Sequence, residues 1–203
     1  VLVRMRDTDG SIILPGAFLP AAERFHLATR IDRWVLRNAI EWLMSRSKTT
    51  PPIDMLSINL SGQSVGDRSF HRQAIDALHD AGADICRKIC IEITETSTIT
   101  NMADASLFIE QLSNAGIRVA LDDFGAGASS FGYLKNLTVN ILKIDGQFIK
   151  DLIDDPLDDA TVRCFVDVAR LLGLKTVAEF VDTPAVLARV KDMGIDYAQG
   201  FLL

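Results

Sequence analysis

Apolar residues in this chain fall into short runs separated by longer stretches with three- and four-residue spacing. Runs near residues 1–5, 55–60, 89–94, 117–122, 139–145, 175–179 and 195–199 have the length and aliphatic content of buried strands. Stretches near residues 32–45, 69–81, 103–115, 131–136, 159–172 and 184–192 carry the amphipathic spacing of helices, and a shorter helix is expected near 15–24. Asp32 and Thr183 stand where N-caps belong, and Pro184 suits a first helical position. Gly82, Gly116, Gly173 and Gly194 each follow a predicted helix, as C-terminal glycines do.

Repeated strand-then-helix order requires parallel strands joined by right-handed crossovers, hence an α/β fold. Two architectures compete, an open doubly wound sheet and a TIM-like (β/α)8 barrel. The barrel is preferred because polar residues sit at the carboxyl ends of nearly every strand, whereas an open sheet concentrates them at one switch point. Only seven strands are visible, so the first strand of an eight-stranded barrel is expected to be missing from this chain. Val1 already lies inside an apolar alternation, which is expected of a piece of a longer protein.

Composition narrows the function. The 203 residues suit one domain, and the net charge of −6 argues against broad binding to nucleic-acid polymers or anionic membranes. It leaves room for a small phosphate ligand held by metals and a few local cations. The three cysteines, Cys86, Cys90 and Cys164, are an odd number without convincing zinc spacing. Read as reduced core residues, they point to the cytoplasm. No apolar run approaches the roughly 18–20 residues that span a bilayer, although the domain could belong to a membrane-anchored protein.

The strand ends supply the candidate chemistry. In order they offer Leu2 and Arg4; Ser57, Asn59 and Ser61; Glu92; Asp122 and Asp123; Lys143 and Asp145; Glu179; and Gln199. Alternate strand residues share a face, so Lys143 and Asp145 align. Adjacent Asp122 and Asp123 serve one site only if the strand ends at Asp122 and the chain turns there, a turn that Phe124, Gly125, Ala126 and Gly127 would supply. Carboxylates with an amide oxygen are hard ligands suited to Mg2+, Mn2+ or Ca2+. Gathering them costs free energy unless cations offset it. Two ions about 3.5–4 Å apart, sharing one bridging carboxylate, would activate a water, with Lys143 orienting it.

Bland alternatives stand beside each residue. The aspartate pair could be a turn device, Lys143 and Asp145 a structural ion pair, and Asn59 a turn residue. His26, His71 and His79 read as solvated or packing residues. Gly125 and Gly127 lack the lysine of a P-loop. The run Asp151, Asp154, Asp155, Asp158 and Asp159 lacks EF-hand spacing and reads as a solvated helix entrance. Trp34 and Trp42, eight apart, read as core.

The ordered set resembles the EAL-domain family of cyclic di-GMP phosphodiesterases. Leu2-Val3-Arg4 is similar to the end of its Glu-x-Leu-x-Arg signature. Ser57 through Ser61, Glu92-Ile93-Thr94-Glu95, Leu121 through Ser130, Leu142 through Asp145, Ala178 through Asp182 and Gln199-Gly200-Phe201 resemble its remaining motifs in order. The resemblance implies one EAL-type phosphodiesterase domain over residues 1–203, truncated at the N-terminus and slightly at the C-terminus. It implies hydrolysis of cyclic di-GMP to linear pGpG by two ions, Mg2+ or Mn2+. Asn59, Glu92 and Asp122 would hold one ion, and Asp122, Asp123 and Glu179 the other. Lys143 would sit by the attacking water, with Glu179 and Asp145 completing the catalytic set. Leu2, Arg4, Pro15, Gln63 and Gln199 would meet the dinucleotide. Glu95 would hold the loop containing Phe124, Gly125, Gly127 and Ser129, which in the family links a homodimer interface to metal binding. Fusion to sensory or GGDEF-type domains is also implied.

This chain departs from the family in places. The signature glutamate, a family metal ligand, belongs two residues before Leu2, so an upstream segment is expected in the native protein. Phe180 and Asp182 replace a common Gly and Glu, and Ala128 a larger residue. Two other functions compete with hydrolysis. One is an inactive EAL-type receptor that binds cyclic di-GMP without cutting it. The other is a barrel enzyme with one Mg2+ that uses Lys143 as a base.

Overall fold

The computed structural model describes residues 1–46, 52–127 and 131–203. Its centre is a parallel sheet of six strands in sequence order: β3 (Leu56–Leu60), β4 (Ile89–Thr94), β5 (Arg118–Phe124), β6 (Ile141–Ile144), β7 (Lys175–Ala178) and β8 (Tyr197–Ala198). Neighbours in sequence are neighbours in space, the order of strands along one arc of a barrel. The helices between them are α4 (Arg68–Ala81), α7 (Met102–Asn114), α9 (Pro156–Leu172) and α10 (Pro184–Asp192), with a 3-10 turn at Phe131–Asn136. Before the sheet lie α1 (Pro15–Arg24) and α2 (Ala28–Ser45). Short helices α3 (Gly62–Val65), α5 (Ala83–Cys86), α6 (Glu95–Thr100) and α8 (Gly146–Lys150) fill the connections. They are too short to carry a periodic pattern. None of the described helices is long and apolar enough to cross a membrane.

Each central strand is buried on both faces. Ile91, Ile93, Val119, Leu121, Leu142, Ile144 and Ala178 join the large core under the helices. The alternate residues Cys90, Ala120, Ile141 and Val177 form a separate small apolar cluster with Met55. Two positions further along the same faces stand Glu92, Asp122, Lys143 and Glu179. One apolar layer thus underlies one charged layer at the carboxyl ends of four strands.

Several sequence expectations need correction. Residues 1–4 form no strand; β1 (Met5–Arg6) instead pairs antiparallel with β2 (Ile12–Ile13) in a short hairpin. Asp32 caps nothing. The helix starts a turn earlier, at Ala28, and Asp32 lies buried within it. Trp34 and Trp42 are 60% and 44% exposed, because the helix turns Asp32, Val35, Leu36, Ala39, Ile40 and Leu43 inward instead. Cys86 and Cys90 are buried, as expected, but Cys164 is exposed on α9. Helix α9 begins at Pro156, with Asp155 as its cap.

Candidate active site

The charged layer begins with β5. Asp122 is buried and Asp123 exposed, yet both carboxylates reach one place. Asp123 has φ of 54°, a left-handed conformation that aspartate tolerates better than most residues. The register with β6 shifts between Leu121 and Phe124. The strand therefore does not end at Asp122, as the sequence reading required. A bulge inside it turns Asp123 round, while Phe124 stays in the core, 5.0 Å from the Phe165 ring. Carboxylate oxygens of Asp122, Asp123 and Glu179 lie within 4.8 Å of one another.

Lys143 sits among these acids, 4% exposed. Its Nζ lies 2.6 Å from Asp122 Oδ1, 2.6 Å from Glu179 Oε1 and 3.3 Å from Glu92 Oε2. Burial alone disfavours its charge, but Asp122, Glu92 and Glu179 outweigh burial and hold the ammonium charged well above its usual range. Burial pushes the Glu179 carboxyl up to about 7, with Asp122 and Asp123 adding to the push and Lys143 opposing it. Asp123 is raised by burial and then by Asp122 and Asp145. The acids outnumber the local cation, and protonation or a further cation relieves the excess.

Asn59 on β3 is the lateral partner of Glu92 in the parallel register. Together with Ser61, Thr94 and Asp32 it lines a cavity of about 250 Å3. Asp145 does not pair with Lys143; its carboxylate accepts from Gln147 N at 2.7 Å and caps α8. Glu95, 1% exposed, begins α6 directly after β4. It accepts from Gly125 N at 3.0 Å and from the Tyr133 hydroxyl at 2.5 Å, so it grips the β5 loop from both sides. A Cβ on Gly125 would meet the rings of Phe148 and Phe165 at 2.7 and 2.8 Å, and Gly127 lies against the Glu95 carboxylate. Ser129 lies outside the described residues.

The other sequence candidates are dispersed. Leu2 is 74% exposed, and Arg4 donates to Val3 O at 2.9 Å beside the mostly apolar cavity next to Trp34. Pro15 opens α1. Gln63 donates to Glu23 O at 2.5 Å and lines a cavity of about 790 Å3 between the start of α2 and helices α3 and α6. Gln199 is exposed, while its backbone bonds Ala178 O and Val181 N. Among the described residues no side-chain hydrogen bond or ion pair joins these five to the carboxylate cluster.

Sequence reading missed the buried Asp32. Its carboxylate accepts from Ser61 N at 2.8 Å, Ser61 Oγ at 2.6 Å and Ser64 Oγ at 2.7 Å. It thereby fixes the turn that follows Asn59. Burial raises its pKa, and the serine hydrogen bonds oppose the rise. Its helical phase with Leu36 and Ala39 was the available signal: an acid on an apolar face needs partners.

The sequence model of the EAL domain matches residues 1–203. The chain is 41% identical over 204 residues to the cyclic di-GMP phosphodiesterase PdeB of Shewanella oneidensis, covering all of this chain and 24% of that protein. It is 34% identical over 203 residues to the cyclic di-GMP phosphodiesterase PdeF of Escherichia coli, covering all of this chain and 27% of that protein. It therefore spans about a quarter of the length of these curated relatives. The structure of the PaMucR phosphodiesterase in complex with c-di-GMP aligns at a TM-score of 0.85 and 33% identity, over all of this chain and 81% of that one. The FimX EAL domain of Pseudomonas aeruginosa bound to c-di-GMP aligns at 0.86 and 28% identity, over 98% and 79%. The motifs anticipated along the strands and the match from end to end agree: the chain belongs to the EAL domain family.

Proposed function

We propose that this EAL domain hydrolyses cyclic di-GMP to linear pGpG with two divalent cations, Mg2+ or Mn2+. One observation carries the reading: the carboxylates of Glu92, Asp122 and Glu179 surround the Lys143 ammonium, with Asp123 beside them, at one end of the parallel sheet. The donor set fits hard cations, because it offers carboxylate and amide oxygens, and beyond burial Asp122 adds to the upward push on the Asp123 and Glu179 carboxyls. Asn59, Glu92 and Asp122 would hold one ion, and Asp122, Asp123 and Glu179 the other. When bound, such ions polarise a phosphodiester and lower the pKa of water.

Lys143 stays charged and donates hydrogen bonds to the attacking water and to the charge developing on the phosphoryl oxygens. Glu92, Asp122 and Glu179 hold its ammonium in position. Asp145 fixes the start of α8 beside them. Leu2, Arg4, Pro15, Gln63 and Gln199 receive the dinucleotide, with Arg4 at a phosphate. One phosphorus–oxygen bond to a ribose breaks as one to water forms. In the same reading the domain works as a homodimer in the cytoplasm, beside sensory or GGDEF-type domains. GGDEF and EAL share a chain in the LapD structure of Vibrio cholerae, at 25% identity to this chain. The base-catalysed alternative is disfavoured, because an ammonium held charged by three carboxylates is a poor proton acceptor.

The test is chromatographic detection of pGpG after incubation with cyclic di-GMP and Mn2+, against a chelator control. Metal-dependent pGpG supports hydrolysis. Binding of cyclic di-GMP without pGpG would make the domain a receptor.

A further inference from the structure

A second concentration of charge lies away from the carboxylate cluster. It occupies the cavity of about 790 Å3 between the start of α2 and helices α3 and α6, whose walls include none of the cluster's carboxylates. Arg30 and Arg33 reach this cavity from α2. Three positions apart on a helix, they share one face, where like charges repel. Neither guanidinium has an ion pair or a hydrogen bond among the described residues. Arg33 is half-buried, and its Nε is sealed from solvent with no acceptor beside it. That cation has lost part of its hydration, and no described side chain replaces what was lost. Asp67, the one acid among the described residues of the wall, is engaged elsewhere. Its carboxylate accepts from Ser69 N at 2.8 Å and caps α4. Thr29 and Thr96 add hydroxyls that bond to no described residue.

We infer that this cavity is a second binding site, which takes a phosphate dianion, either free or as the terminal group of a small molecule. Guanidinium forks match the spacing of phosphate oxygens, and hydroxyls donate to the oxygens left over. A phosphate monoester carries close to two negative charges at neutral pH, so one such group answers both arginines and ends their repulsion. A phosphodiester carries one charge and leaves half of the demand unmet. In a chain of net charge −6, two unpaired arginines turned to one cavity are a local exception. Their attraction is therefore confined to short range and selects a small ligand. The site needs no divalent cation, and so it stands apart from the catalytic reading.

The experiment is calorimetric titration of the full chain, stripped of metal on a chelating resin, with inorganic phosphate, GMP and dimethyl phosphate. Inorganic phosphate is expected to bind, and dimethyl phosphate, a monoanionic diester, roughly tenfold more weakly or less well still. Potassium chloride at matched ionic strength controls for screening. Arg33→Gln should weaken phosphate binding roughly ten- to a hundredfold. Arg30→Gln should do the same, and because Arg30 is exposed the fold does not depend on it. Arg33→Lys should recover part of the loss, since it keeps the charge without the fork. GMP binding more tightly than phosphate would assign the site to nucleotides; equal or weaker binding would assign it to phosphate itself. Wild-type phosphate affinity in Arg30→Gln and Arg33→Gln, equal binding of dimethyl phosphate, or an effect that chloride reproduces would overturn the inference. With metal absent throughout, these outcomes do not depend on whether the domain hydrolyses cyclic di-GMP.

Discussion

Replacing Lys143 by Met keeps the side chain's length and apolar stem while removing its charge. Among the described residues that ammonium pairs with the carboxylates of Asp122, Glu179 and Glu92, at 2.6, 2.6 and 3.3 Å. At an effective dielectric of about 20, such pairs attract by roughly 5–6 kcal/mol each. Most of that gross attraction is offset by taking the charges out of water. Breaking a buried pair by removing one partner costs about 3–5 kcal/mol net, because the remaining charge stays buried and unopposed. Proton uptake limits the damage, since the Glu179 carboxyl is already pushed up to about 7. Lys143→Met is therefore expected to lower the melting temperature in chelator by roughly 6–20 °C for a chain of this size. The effect should be larger at pH 8 than at pH 6. Mn2+ should then stabilise the variant more than the wild type, because the ion no longer shares the cluster with an ammonium. Turnover should remain absent in the metal-loaded variant, which has no donor for the reacting oxygens. Melting curves that coincide in chelator and gain equally from Mn2+ would refute the view that Lys143 is the counterion of this cluster.

Asp122→Asn, which removes a charge from the centre of the cluster, should cut pGpG formation about a hundredfold or more; normal turnover would contradict the two-metal assignment. Glu95→Ala leaves the Gly125 N–H and the Tyr133 hydroxyl without this acceptor, so a loss of about 2–3 kcal/mol in urea unfolding is expected, with altered metal dependence of turnover. His71 is 2% exposed, stacked on Phe108 at 4.2 Å, with its Nε2–H donating to Val65 O. Burial lowers its pKa, against the opposing pull of the Val65 carbonyl and Asp104. The unfolded chain therefore takes the proton first, and stability should fall as pH drops below about 6.5, by at most about 1.4 kcal/mol per pH unit from this group. Glu179 acts in the opposite sense in that window, so His71 is isolated by comparison with His71→Phe, in which its share of the slope should vanish; an unchanged slope would reject the assignment.

The order of strands and helices was legible because burial on both faces forces continuous apolar runs at β4, β5 and β6, and because a parallel sheet needs a crossover after each strand. The strand-end positions of Glu92, Asp122, Lys143 and Glu179 were legible for the same reason: a charge in such a run stands out. Period two also fixed which residues share a face, so the apolar layer of Cys90, Ala120, Ile141 and Val177 beneath the charged layer was implicit in the chain. Three things were not implicit. Local pattern cannot reveal which partner a buried acid will find, so Asp32 read as a cap although it binds Ser61 and Ser64 across a sequence gap of about thirty residues. Nor can it reveal a backbone that leaves its preferred region, so the turn at Asp123 was assigned to the glycines after it. It also could not seat Phe180 on Gly146, since residues 34 apart meet only when β6 and β7 lie side by side. Periodicity depends on neighbours within one element, and so it belongs to the sequence; ion pairs, notches and strained turns depend on neighbours that only the closed chain brings together.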